Sequence, residues 1–320
     1  MVKVSVVIPL YNKEPHIKRA LHSVYNQTIQ EFEVIVVNDG STDKSAQVVK
    51  SFCDSRVKLI HQENAGVSVA RNRGINESKS ELIAFLDADD EWMPNYLETI
   101  LRLRENYPHA GLYATSMKNE YIDNMLVKLE EESRNLVPKE GLLLNYFKIY
   151  KNGHSLFGAS SVTIPRKIFL ETGGFQAGFW WGEDIDMWGR IALKYPIAYS
   201  SQVCAIYYQN VANSAVERKK PVKVHHFVKT TREALELGRV PHEFVNDLKE
   251  YIKFLEMFTA KHDIKAGDRD LALKLLARSD IKLAYKKKLL RIIISTSIKN
   301  NFPNLAEHIT IISSRQKKKS

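Results

Sequence analysis

Over its first 115 residues the chain alternates short apolar runs with stretches whose apolar residues recur at helical spacing. KVSVVIPL (3–10), EFEVIVVND (31–39), VKLIHQ (57–62) and ELIAFLDAD (81–89) are rich in Val and Ile and apolar on both faces, which predicts parallel strands covered on two sides. Between them KEPHIKRALHSVYNQ, STDKSAQVVKSFCDS and GVSVARNRGINES predict helices, the second capped by Ser41 or Thr42 ahead of Asp43. Alternating strands and helices joined by short connections make an open, doubly wound α/β sheet, mostly parallel and flanked by helices.

The pattern loosens through a polar connection at 118 to 140 and resumes in GASSVTIPRKIFLETGGF (158–175). GEDIDMWGRIALKYP then reads as a helix opened by acids and closed before Pro196. From about residue 221 the chain is helical in character, as in HEFVNDLKEYIKFLEMFTAKH and RDLALKLLARSDIKLAYKKKLLRIIISTSI. Charge follows the same division: residues 219–320 hold 23 Lys/Arg against 11 Asp/Glu, whereas residues 1–218 hold 24 against 26. The expected organisation is an α/β region over 1–218, with a first half at 1–115 and a second at 116–218, followed by a basic helical region over 219–320.

Cys53 and Cys204 are the only cysteines and have no metal-ligand spacing, so neither a disulfide framework nor a zinc site is expected and a reducing cytoplasm is the default setting. The N-terminal run has neither the length nor the cleavage site of a signal peptide, and no stretch reaches the roughly 18 apolar residues of a membrane span. A protein that is soluble or peripheral is expected.

In an open α/β sheet ligands bind beyond the carboxyl ends of the strands. Here those ends carry PLYN, NDGSTD, NAGVSVARNRG and DADD. The residues after the first strand, YNKEPHIKR, contain no glycine, which argues against both a dinucleotide fingerprint and a P-loop. DADD places Asp87, Asp89 and Asp90 within four positions, and carboxylates that close raise one another's pKa. Divalent ions bind one or two carboxylates together with substrate phosphate oxygens, so a metal diphosphate fits; the plain alternative is a solvated acidic turn, with Asp90 capping a helix in DEWMPNYLETILRL.

VSVVIPLYN, VIVVNDGSTD, GVSVARNRGI, FLDADDEWMP and GGF followed by WWGEDIDMWGRI, in this order and spacing, resemble the inverting glycosyltransferases of family 2, which have the GT-A fold. The resemblance covers about residues 3–215. It implies transfer of a sugar from a nucleotide diphosphate sugar, UDP favoured over dTDP, with Mn2+ or Mg2+ as cofactor. It sets Pro9 and Tyr11 of PLYN against the base and Asp39 in hydrogen-bond reach of it. Arg71 and Asn72 lie along the nucleotide and its diphosphate, Asp87 on the ribose side and Asp89 at the metal.

An inverting transfer is a single displacement, which needs a group on the acceptor side to take the hydroxyl proton. WWGEDID offers Glu183 and Asp184 beside Trp180 and Trp181, whose rings suit sugar faces. The resemblance makes Asp184 the general base, with Glu183 and Trp181 binding substrate. Asp186 reads as a helix cap, and Trp188 and Arg190 as packing residues. A third protein ligand to the metal is missing from YYQNVANSAV; Tyr207, Gln209 or Ser214 could replace it with neutral contacts, or the histidines at 225 and 226 could fold back.

The acceptor expected is a hydroxyl of a polysaccharide, a glycoprotein or a lipid-linked glycan. The run YKKKLLRIIISTSIK and the terminal RQKKK suit an anionic membrane surface at the inner face of the cell membrane; packing of the tail on itself, or a homo-oligomer contact, is the alternative. A sugar nucleotidyltransferase would carry a glycine-rich phosphate loop after the first strand, which is absent. A basic module binding nucleic acid would leave DADD and WWGEDID without purpose, so no nucleic-acid partner is expected.

Overall fold

A computed structural model of the chain describes residues 2–119, 135–151, 153, 155–209 and 220–301. Most of the polar connection at 118–140, Ser214 and the terminal RQKKK lie outside the described residues. Strands β1 (Val4–Leu10), β2 (Phe32–Asp39), β3 (Val57–Gln62) and β4 (Leu82–Phe85) stand in the order β3-β2-β1-β4, all parallel. β2 and β4 are buried throughout and β1 nearly so, whereas β3 is a half-exposed edge.

The helices between them are α1 (Ile17–Tyr25), α2 (Ser45–Lys50) and α3 (Val67–Glu77). α2 is not capped by Ser41 or Thr42: its N-cap position is Lys44, with no side-chain cap, and Asp43 just before it accepts the Ser45 amide at 2.9 Å through Oδ1. α3 lies close on β1 because Gly74 faces Val7, where a Cβ would come within 2.3 Å of Val7 Cγ1.

Beyond β4 the sheet becomes mixed. β5 (Glu91–Trp92), β6 (Leu112–Asn119), β7 (Glu140–Leu143), β8 (Val162–Pro165) and β9 (Ile197–Tyr207) extend the order to β4-β8-β6-β9-β5, with β7 also on β9. Among these pairs only β6 with β9 is parallel. Asp90 therefore does not cap a helix. Strand β5 follows it, and α4 (Tyr96–Asn106) begins only after Asn95.

α5 (Tyr146–Tyr150), α6 (Arg166–Thr172) and α7 (Glu183–Ala192) complete this part. The basic region supplies α8 (His226–Glu236), α9 (Val245–Lys265), α10 (Asp270–Ala277) and α11 (Leu283–Asn301). Phe227 of α8 and Tyr251, Ile252 and Leu255 of α9 share one core with Phe147, Met187, Trp188 and Tyr199. Each buried side chain of that size contributes about 2–3 kcal/mol. α8 meets α7 at Gly189, where any Cβ would come within 2.3 Å of the Phe227 ring. The far half of α9 joins α10 and α11 in a separate cluster around Ala260, Ile264, Leu275 and Leu289.

Candidate active site

The carboxyl ends of β1, β2 and β4 open on one side, and their loops are tied to one another. Asn12, in the left-handed region at φ 50°, accepts the Thr42 amide at 2.8 Å through Oδ1. The Lys13 amide donates to Ser45 Oγ at 2.8 Å and that of Glu14 to Asp43 Oδ2 at 3.0 Å. Pro9 is the last residue but one of β1, and Tyr11 follows the strand half-buried.

Asp39 is buried at the end of β2 and organises the loop after β3. Its Oδ1 accepts the Ala65 amide and Gln62 Nε2, both at 2.8 Å, and its Oδ2 accepts the Gly66 amide at 2.9 Å. A carboxylate oxygen has two acceptor sites, so Oδ2 keeps one for a ligand donor. Asn72, by contrast, is fully engaged, receiving the Phe175 amide at 3.0 Å and donating to the Phe175 carbonyl at 2.7 Å. It holds the Gly173–Gly174 turn in place.

The three acids of DADD are separated by their partners. Asp87 Oδ1 takes Arg71 Nη2 at 2.8 Å, and Asp89 Oδ2 takes Lys13 Nζ at 2.7 Å. Asp90 is buried, hydrogen-bonded to Ser160 Oγ and receiving the Tyr208 amide at 3.2 Å. Burial first, then the charges of Asp87 and Asp89, push its carboxyl well above the usual range. Lys13 and Ser160 were not among the sequence candidates; Lys13 is visible beside PLYN, but Ser160 carries no local signal.

Arg71 is buried and spans two acids, with Nη1 2.8 Å from Glu183 Oε1 as well as Nη2 on Asp87. Both acids hold the guanidinium charged against its burial. Arg73, two residues on, lies in water and pairs with Glu77. Glu183 opens α7, so this arginine fastens the acceptor-side helix to the end of β4.

Asp184 comes next on α7. Its Oδ1 accepts the Ile185 amide at 2.7 Å, and its Oδ2 takes no hydrogen bond among the described residues. Burial and the neighbouring Glu183 charge raise its carboxyl to about 7, while Arg71 pulls it down. A helix N-terminus alone would favour the ionised acid; here desolvation outweighs it. The result is a carboxylate able to take a proton near neutral pH.

Asp186 is no helix cap. Fully buried, it accepts Arg190 Nε at 2.8 Å and faces His226 Nδ1 at 3.0 Å, while Arg190 also donates to the Thr172 and Gly174 carbonyls. Trp188 is buried, as expected of a packing residue. His225 is buried against Gly182 with its imidazole pushed down to about 4 by desolvation. Trp181 stacks on Phe258 and His262 of α9, at 4.9 and 4.8 Å between ring centres. No local pattern points to these α9 partners, which lie about 80 positions away.

Two carboxylates and the hard-oxygen preference of Mn2+ and Mg2+ fit each other. Asp87 keeps Oδ2 and Asp89 keeps Oδ1 without a hydrogen bond among the described residues. No group of three or more His, Cys, Asp and Glu is gathered there among those residues, so an ion would draw its remaining ligands from diphosphate and water. Tyr207 stands near these acids, its hydroxyl pushed up to about 12 by burial and their charges. Ser214 lies outside the described residues.

The sequence model of Glycosyl transferase family 2 matches residues 5–164, half of the chain. The uncharacterized glycosyltransferase YibD of Escherichia coli (strain K12) is 45% identical over 103 residues, 32% of this chain and 30% of that relative. The chain thus aligns with less than a third of that relative's length. Among solved structures, S. aureus TarS 1-349 in complex with UDP-GlcNAc superposes with a TM-score of 0.63 at 18% identity, covering 93% of this chain and 91% of that one. The mannosyltransferase PcManGT from Pyrobaculum calidifontis, in complex with GDP-Man and Mn2+, gives 0.61 at 17%, covering 94% and 87%. At such identities the likeness is one of fold.

Proposed function

The chain belongs to glycosyltransferase family 2, and from that premise we propose that it moves a sugar from a UDP-sugar to an acceptor hydroxyl with inversion at the anomeric carbon. The observation that carries this reading is Asp184: a carboxylate with a proton affinity near neutrality, held on α7 by the Glu183–Arg71–Asp87 chain. In a single displacement Asp184 Oδ2 takes the acceptor proton as its oxygen attacks, and the charge passes to the departing diphosphate. Residues 1–218 form the catalytic region in this reading.

Asp39 and Tyr11 receive the uracil, the remaining acceptor site of Asp39 Oδ2 taking the ring N3–H. Pro9, near the end of β1, lies at the floor beside the base, Asp87 faces the ribose, and Glu183 and Trp181 border the sugar. A divalent ion held by Asp89 would supply positive charge to the leaving diphosphate. The UDP-GlcNAc and the GDP-Man with Mn2+ in the two structural neighbours support a nucleotide-sugar donor and a metal.

The acceptor is a carbohydrate hydroxyl in polysaccharide or glycolipid synthesis, and the basic helical region brings the enzyme to an anionic membrane surface. No helix among the described residues is long and apolar enough to cross a membrane. The test is a panel of nucleotide sugars with Mn2+, read by released nucleotide, together with thermal protection by UDP, GDP and ADP. UDP-sugar turnover and stronger protection by UDP are expected; equal protection by all three would remove the base-reading role of Asp39.

A further inference from the structure

The exposed face of α9 carries Phe258, Lys261, His262 and Lys265, spaced i, i+3, i+4 and i+7 and therefore in one stripe. Phe258 is 38% exposed despite its size. Trp181, three residues before Asp184, lies against this stripe, nearly parallel to Phe258 at 18° and to His262 at 24°. An aromatic shelf thus runs from beside the proposed base onto the basic region.

Lysines edge the shelf. Lys253 and Lys282 pair with Glu250, but Lys261, Lys265 and Lys288 of α11 have no ion-pair partner among the described residues. Their mutual proximity shows in Lys261, whose ammonium is pushed down by partial burial and by the charges of Lys265 and Lys288. Like charges held together without a counterion favour an anionic ligand. Residues 1–218 are nearly neutral, so the basic excess belongs to the region whose helix α9 Trp181 stacks on.

We propose that Trp181, Phe258 and His262 with Lys261, Lys265 and Lys288 form an acceptor platform for an anionic glycan, one bearing phosphate or carboxylate groups along its chain. The C–H face of a sugar ring lies on the face of Trp181 turned away from Phe258 and His262, which stack on its other side; its electron-rich centre suits weakly positive hydrogens. The anionic groups meet the lysines. From Phe258 to Lys265 the stripe runs roughly 10 Å, long enough for more than one sugar. This rests on Asp184 as the acceptor-side base, since the platform leads to it.

The test is a titration of the full chain, followed by tryptophan fluorescence, with polygalacturonate oligomers, poly(glycerol phosphate) and neutral dextran oligomers of matched length. One or both acidic polymers should bind at least about tenfold tighter than dextran and weaken with salt; which one distinguishes carboxylate from phosphate. Lys261→Glu with Lys265→Glu should abolish the preference, and Trp181→Leu should weaken all binding. Retained thermal protection by UDP reports an intact fold in the lysine variant. Equal affinity for dextran, or acidic binding unchanged in the lysine variant, overturns the proposal. So does binding to phosphatidylglycerol vesicles but to neither acidic polymer. Failure of UDP to protect the native chain instead removes the donor reading, leaving the glycan titration to decide the platform.

Discussion

Arg71 Nη1 lies 2.8 Å from Glu183 Oε1, 112 positions further along the chain. Its other terminal nitrogen holds Asp87, so one buried guanidinium joins the end of β4 to the start of α7. A fork of donors suits this task in a way a single ammonium does not. The link places Asp184 beside the strand ends and also sets its proton affinity, because the Arg71 charge opposes the effects of burial and Glu183.

Replacing Arg71 with Met should therefore do two things. Leaving Glu183 and Asp87 unpaired costs stability of about 3–5 kcal/mol, readable in urea unfolding. In the folded fraction the acid limb of the pH–rate profile should move upward, since the influence that lowers the Asp184 carboxyl is gone. An unchanged limb would mean that Arg71 does not act on the titrating group.

Asp184→Asn should reduce transfer by about 10²- to 10⁴-fold, with donor protection retained. The native rate should rise with pH through about 7, where Asp184 ionises. Stability runs the opposite way. Folding raises this carboxyl from its ordinary 3.8 to about 7, so the folded chain holds a proton that the unfolded chain releases. That contribution is complete below pH 4 and is lost as pH rises toward 7. The Asn variant should accordingly be more stable than the native chain at pH 8, by up to about 4 kcal/mol, with a smaller gain at pH 5.

How far such a site is legible in sequence depends on the reach of each interaction. The Val- and Ile-rich runs at β1, β2 and β4 are buried as their two-sided apolar pattern requires, and the strand-end motifs belong to a recognisable family. The fates of the acids were not local. Asp90 looks like a helix cap until Ser160, 70 positions later, folds over it. Asp186 sits in the first turn of a helix, where an acid has a ready explanation, yet its partner is His226. Trp181 meets Phe258 and His262 of α9, about 80 positions away, and Gly189 meets Phe227 of α8, neither of which a local pattern reveals.

The acids of DADD should differ sharply under substitution. Asp89→Asn should weaken Mn2+-dependent binding of UDP by at least about tenfold, or about 1.4 kcal/mol, while barely touching uridine, since the ion bridges carboxylate and phosphate oxygens. Turnover by the native chain that is insensitive to chelator would defeat the metal assignment. Asp90→Asn should be nearly silent in metal titrations, because burial already disfavours the ionised form and the amide preserves its shape beside Ser160.

The membrane reading turns on the outer face of α11. Leu289 is buried against α9 and α10, with Ile292 and Ile293 partly covered. Leu283, Leu290 and Ile294 are 65%, 45% and 56% exposed, and Lys287, Lys288 and Arg291 are exposed among them. The helix contains no Asp or Glu. An apolar stripe edged by cations can lie in the headgroup region, each Lys or Arg adding about 1 kcal/mol at an anionic surface. The full chain should co-sediment with phosphatidylglycerol vesicles at low salt, more weakly at high salt, and not with phosphatidylcholine. Lys287→Glu with Arg291→Glu should abolish this, and Leu290→Ser with Ile294→Ser should weaken it, without moving the thermal midpoint, because neither pair touches the buried side of the helix. Equal binding by all variants, or none by the native chain at low salt, would return the stripe to packing or assembly and free the acceptor from any lipid anchor.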